Sequence, residues 1–156
     1  MIEVEFNDSD VMEALAKLSR SLTNLSPLWT TMGDSLIAST ERRFDHTEGP
    51  DGSKWVPRSA TTLERYKKKG TSFGPILHLT RELRDNFNYH YDANSMTLGS
   101  NVLHAAVMQF GAEKQSLGPR SPWGNIPARP FIGISVSDRE DIFKIINEWL
   151  IDAVSN

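Results

Sequence analysis

Residues 87–100 read FNYHYDANSMTLGS. Phe87, Tyr89 and Tyr91 alternate with Asn88, His90 and Asp92, the period-two pattern of a half-buried strand. DANS supplies turn chemistry and MTLGS returns, so the stretch predicts an antiparallel hairpin. Its flanks read as helix. Upstream, Thr80 is placed to cap a one- or two-turn helix over RELRDNF; downstream, Val102 to Phe110 is helical and Gly111 stops it.

Further upstream, Ser59 caps a short helix to about Lys69, with Gly70 placed to end it. Residues 46–57 (HTEGPDGSKWVP) lose all periodicity and form a loop. Ser26 before Pro27 is an N-cap followed by a first-turn proline, and Leu28, Met32, Leu36, Ser39 and Phe44 trace the buried stripe of a helix running to about Asp45. A helix over about 8–22 precedes it, with Val11, Leu15, Leu18 and Leu22 recurring at three or four, and Ile2, Val4 and Phe6 alternate with glutamates as a short first strand. On the other side, residues 112–130 hold Gly118, Pro119, Pro122, Gly124, Pro127 and Pro130, too many breakers for a regular element. A loop of that length is usually functional or disordered, which predicts trypsin cleavage at Lys114 and Arg120. Phe131 to Val136 then predicts a strand, and Ser137 with Glu140 the capping box of a last helix striped by Ile142, Ile145, Ile146, Trp149 and Val154. The order gives an α+β fold, a small mainly antiparallel sheet packed against helices, with long loops. With no repeat and no shift of composition, residues 1–156 read as a single domain.

The 156 residues carry 17 Lys plus Arg against 20 Asp plus Glu, a net charge of −3 that disfavours a general nucleic-acid coat and leaves room for a local basic patch. A folded monomer of this size should expose about 7,900 Å². The absence of cysteine excludes disulfides, thiolate metal sites and cysteine nucleophiles, and fits a reducing cytoplasm. The N-terminus is acidic from Glu3 onward and does not read as a secretory signal. The densest apolar region, Ile142 to Val154, is interrupted by Lys144, Asn147, Glu148 and Asp152, well short of the roughly 18 apolar residues of a membrane span. A soluble protein with no membrane partner is expected.

Catalytic signals are weak. His46, His78, His90 and His104 lack metal-ligand spacing, and Asp45 beside His46 is a nuclease-like hint that no second motif supports. Glu48 and Asp51 suit a solvated loop better than an acid/base pair, and no known nucleophile, zinc or phosphate-loop motif is present. No catalytic, cofactor or metal residue is assigned. Arg58, Arg65, Lys67, Lys68 and Lys69 are locally basic with Tyr66 among them, which admits a solvated helix end, a phosphate contact or an acidic partner. Trp55 and Trp123 are loop aromatics of the kind interfaces use as anchors, or else they tuck into the protein's own core.

Taken in order, DGSKWVP (51–57), ILHLTRELRDNF (76–87), LGS (98–100), HAAVMQFGA (104–112) and IPARPFIGIS (126–135) resemble the phage virion morphogenesis proteins of Mu-like tailed phages, also called tail completion proteins. The similarity covers roughly residues 1–154. The family pattern has a glycine after the threonine of the third-block start, where this chain has Arg81, a departure expected to cost little at a surface helix start. The resemblance implies a non-enzymatic structural protein of the head–tail junction, a tail completion, terminator or neck component, carried in the virion and assembled in the host cytoplasm. It implies a homo-oligomeric ring, often six-fold, that meets tail tube, sheath or connector proteins and needs no cofactor. In such a ring Trp55, Pro57, Trp123, Arg129 and Phe131 are interface candidates, Arg129 as a fork for a neighbour's carboxylate, and Lys67, Lys68 and Lys69 face a DNA-filled lumen or an acidic partner. The alternative is a small phage DNA-binding or nuclease accessory protein using residues 58–69.

Overall fold

The computed structural model describes residues 9–116, 118–119 and 124–155. The strand expected over residues 2–6 lies outside them. Five helices and two strands are described: α1 (Ser9–Ser21), α2 (Ser26–His46), α3 (Ala60–Lys68), β1 (Phe87–Tyr91), β2 (Met96–Ser100), α4 (Ala105–Phe110) and α5 (Val136–Ser155). β1 and β2 form the expected antiparallel hairpin, with Phe87 opposite Ser100 and Tyr91 opposite Met96. Asp92 closes its turn by accepting the Asn94 and Ser95 N–H groups, both at 2.8 Å. α2 is the axis of the molecule. The hairpin packs on it, α5 packs on it as well, and α1 packs on α5. The result is the α+β fold that the hairpin and its helical flanks predict.

The core is aromatic. Phe44 is fully buried, with ring centroids of Trp55 at 5.2 Å, Phe131 at 5.3 Å and Phe87 at 5.9 Å. Leu83 and Ala105 complete the cluster, and Ile37, Leu98, Val102 and Met108 pack around it. Hairpin, α2, α4 and both long loops therefore each place at least one side chain in a single core.

Several local expectations are corrected. α2 starts at Ser26 itself, because the Asn24 side chain takes the Ser26 N–H at 3.1 Å and Pro27 falls inside the first turn. RELRDNF forms no helix; one turn closes from the Asp85 N–H to the Arg81 carbonyl at 2.9 Å. Arg81 itself sits in the left-handed region at φ 59°, a conformation that costs a non-glycine residue about 1–2 kcal/mol and that no helix start uses. The glycine of the family pattern falls at this position, so the substitution is not the neutral surface change expected of it.

Phe131 to Val136 is not a strand. The backbone there is satisfied by a side chain instead: Gln109 Oε1 accepts the N–H groups of Phe131 (2.9 Å) and Ile132 (3.0 Å), and its Nε2 donates to the Ile132 carbonyl at 2.9 Å. The final helix is capped two residues earlier than Ser137 and Glu140 suggest. Asp138 N–H donates to Ser135 Oγ at 3.1 Å, and Ser135 N–H donates to the Asp138 carboxylate at 2.7 Å, the reciprocal box in a different register. Tertiary structure selects that register, since only there does the carboxylate also reach Arg43. α4 is shorter than expected, residues 102–104 forming a turn before it.

Apolar side chains are left exposed on the helices. The α1 stripe meant for a core leaves Leu15 and Leu22 each 54% exposed, and the α5 stripe is only half-buried, with Val154 exposed. No helix among the described residues is long and apolar enough to cross a membrane.

Candidate assembly interface

The segments that carry the family resemblance converge in space, and they do so as a buried junction. Trp55, from the first long loop, donates its indole N–H to the Pro130 carbonyl at 2.7 Å. Arg129 answers from the second loop: Nε donates to the Val56 carbonyl at 2.8 Å and Nη2 to the Pro57 carbonyl at 3.1 Å. The Arg129 N–H reaches back to the Met108 carbonyl at 2.8 Å, and Gln109 beside it holds residues 131 and 132. Gly111 then turns the chain at φ 75°, where a Cβ would lie 2.7 Å from the Ile126 carbonyl oxygen; Ala112 and Ile126 hydrogen-bond each other in both directions, at 2.9 and 2.7 Å. Thus DGSKWVP, QFGA and IPARPF form one clasp.

That geometry revises the interface candidates. Trp55, Arg129 and Phe131 are buried in their own chain, so none of the three is an anchor held out to a neighbour. Arg129 directs Nε and Nη2 to backbone carbonyls of its own chain rather than outward. Burial lowers its pKa without a carboxylate to oppose it. Pro57 is exposed, and Trp123 lies outside the described residues. Lys67, Lys68 and Lys69 are exposed at the end of α3, whose N-terminus Ser59 caps through the Thr62 N–H as expected. Beside them a cleft of about 660 Å³ is lined by Val56, Arg58, Tyr66, Leu79, Met108 and Ile126 among others.

A second polar centre escapes sequence reading. Arg43, on the buried stripe of α2, donates Nη1 to the Phe131 carbonyl at 2.8 Å and pairs through Nη2 with Asp138 of α5. Ser39, one turn before Arg43, donates to the other oxygen of the same carboxylate. Burial by itself would raise the Asp138 pKa, but the hydrogen bonds from Ser39 and Ser135 and the Arg43 charge overcome it and hold the carboxylate below its usual range. The i, i+4 pair of Ser39 and Arg43 on an otherwise apolar stripe was the available signal.

Among the described residues, the other polar groups singled out in the sequence form local pairs. Glu48 pairs with Lys54 at 2.8 Å, which lowers its pKa, and Asp51 is held low by hydrogen bonds from Ser53. Asp45 takes Arg84 at 3.2 and 3.3 Å, while His78 stacks on Phe44 and burial lowers its pKa. His90 and His104 are exposed. Among the described residues, no group of three metal-ligating side chains comes together.

The sequence matches the model of the phage virion morphogenesis family over residues 6–151. It is 31% identical over 118 residues to the "Putative capsid assembly protein G" of Escherichia phage Mu, covering 75% of this chain and 74% of the relative. It is 26% identical over 150 residues to the Mu-like prophage FluMu G protein 2 of Haemophilus influenzae, covering 96% of each. No solved structure matches. The match runs through nearly the whole chain, its motifs meet in one clasp, and this chain belongs to the phage virion morphogenesis family.

Proposed function

We propose that the protein is a non-enzymatic building block of the phage head–tail junction, completing or terminating the tail or joining it at the neck, and that it acts there as a homo-oligomeric ring of about six copies against tail or connector proteins. The observation that supports this reading is surface. A member of a virion morphogenesis family leaves apolar side chains of its helices uncovered. The clasp supplies the complementary property. It ties two long loops to α4 through buried hydrogen bonds, so the protomer is stiff before it docks and loses little entropy in assembling.

The test is molar mass by light scattering over a range of concentrations, with negative-stain images of the same peak, repeated after adding purified tails. A ring with a central hole, alone or on tails, is the expected result; a monomer that ignores tails overturns the reading. Lys67, Lys68 and Lys69 are exposed together, and in a ring they would contact DNA passively. Replacing all three with glutamate should leave folding unchanged and reduce DNA retention in assembled particles. A salt-sensitive gel shift by the isolated protein, lost in this variant, would instead favour a DNA-binding accessory protein.

A further inference from the structure

The cleft beside α3 joins an apolar floor to a cationic mouth. Leu83, Met108 and Ile126, buried or half-buried, line its deeper part, and Leu79, 44% exposed, extends the apolar surface outward. Three arginines line it against a single glutamate, Glu82. Two of them, Arg58 and Arg129, have no carboxylate partner among the described residues. Arg58 donates to the Pro75 carbonyl and lies 6.0 and 5.0 Å from the ring centroids of Tyr66 and Phe73, while Arg129 holds the Val56 and Pro57 carbonyls. The two are close enough that the Arg58 charge adds to burial in lowering the Arg129 pKa. The third, Arg65, is exposed on α3 one turn before Lys68 and Lys69. Cations crowded at the mouth of an apolar cleft suit a segment that is apolar and acidic at once.

The chain carries a segment of that kind. Before α1 it reads MIEVEFND: Ile2, Val4 and Phe6 alternate with Glu3 and Glu5, Asp8 adds a third carboxylate, and no basic side chain occurs among the eight. In an extended backbone this alternation turns the apolar residues to one face and the glutamates to the other, so one pose meets both the floor and the charged mouth. Eight extended residues reach about 26–29 Å. α1, from which the segment departs, packs on α5, and none of the residues lining the cleft belongs to either helix. Segment and cleft are therefore separate surfaces of the protomer, as a contact passed from one copy to the next requires.

We infer that residues 1–8 of one copy dock as an extended segment in the α3 cleft of the next, with Ile2, Val4 and Phe6 against Met108 and Ile126, and Glu3 and Glu5 beside Arg58 and Arg65. The inference rests on the ring reading and names its contact. Each copy gives one segment and receives one, which is the head-to-tail arrangement of a closed ring.

Two charge reversals in the full chain test it, Glu3→Lys with Glu5→Lys and Arg58→Glu with Arg65→Glu, with circular dichroism and melting to verify folding. Arg65→Glu alone, at an exposed position, replaces the second pair where Arg58→Glu disturbs the fold. Each variant sets like charges against each other and should be monomeric under conditions where the wild type multimerises. Mixed, they should form multimers again, because glutamate segments meet arginine clefts and lysine segments meet glutamate clefts in alternation. The peptide MIEVEFND with a C-terminal fluorescein gives a readout that needs no assembly. By anisotropy it should bind the Glu3→Lys, Glu5→Lys protein and lose about tenfold in affinity when the cleft charges are reversed as well. Multimers unaffected by either variant, or a peptide that does not bind, overturn the contact while the ring reading stands on its own images. Peptide binding without recovery on mixing puts the segment in its own chain's cleft and overturns the exchange between copies. A wild type that never multimerises, alone or on tails, overturns both readings.

Discussion

Phe131 and Phe143 sit on either side of the α5 N-cap and have opposite fates: Phe131 is fully buried against Phe44 and Phe87, and Phe143 is 66% exposed on α5. The clasp around Phe131 is built from loops and the α1/α5 pair from long amphipathic helices, yet it is the loops that are sealed and the helices that are left open. In the clasp, side chains do the work of secondary structure, with Gln109, Trp55 and Arg129 each pairing backbone groups that no strand reaches. In the helix pair the backbone groups of the central turns are paired within their own helix, so nothing local compels a second layer to cover the apolar flank. Helical periodicity reports which face is apolar. It does not report whether the cover comes from the same chain.

The sharpest way to break this contrast is truncation. Phe131→Ala should cost about 3–5 kcal/mol, as deletion of a buried aromatic does, whereas Phe143→Ala should stay within about 0.5 kcal/mol of wild type in the monomer. Thermal unfolding of the two variants measures both. Equal losses would mean that the α5 flank is part of the monomer's core.

A somewhat smaller effect is expected where helix pair and clasp meet. Asp138→Ala leaves Arg43 buried without its carboxylate and should cost about 3 kcal/mol, and the double change Arg43→Met with Asp138→Leu should recover most of it. The pH dependence follows from the same pair. The Asp138 pKa is lowered in the folded state, so its contribution is fully present above the unfolded value of about 3.9 and is lost as pH falls through the folded value. Urea midpoints should therefore drop below about pH 4 in the wild type and drop less in the double variant.

The smallest effect carries the opposite sign. Arg81 holds φ 59° in the loop before β1, and glycine relieves that strain at the expense of a more flexible unfolded chain. Arg81→Gly should stabilise the protein by about 0.5–1 kcal/mol, or roughly 1–4 °C in melting temperature. A lower melting temperature would show that the Arg81 side chain contributes more than its backbone costs.

Sequence by itself determined the elements whose signals are local. The hairpin follows from alternation around a turn, the ends of α3 from Ser59 and Gly70, and the course of α2 from its stripe, because each depends on groups within a few residues of one another. The order of motifs also determined the family. Tertiary structure decided the rest. Residues 131–136 alternate like a strand, but a strand needs a partner, and Gln109 took that place. The cap of α5 could form in either of two registers, and Arg43, remote in sequence, selected Ser135 with Asp138. Trp55, Arg129 and Phe131 carry the chemistry of interface anchors, yet the meeting of the two loops buried them, while Leu103, in the turn before α4, and Phe110, at its last position, came out on the surface. A residue type states what a side chain is able to bind; which side of the surface it occupies depends on contacts between segments far apart in the chain, and these the linear pattern does not encode.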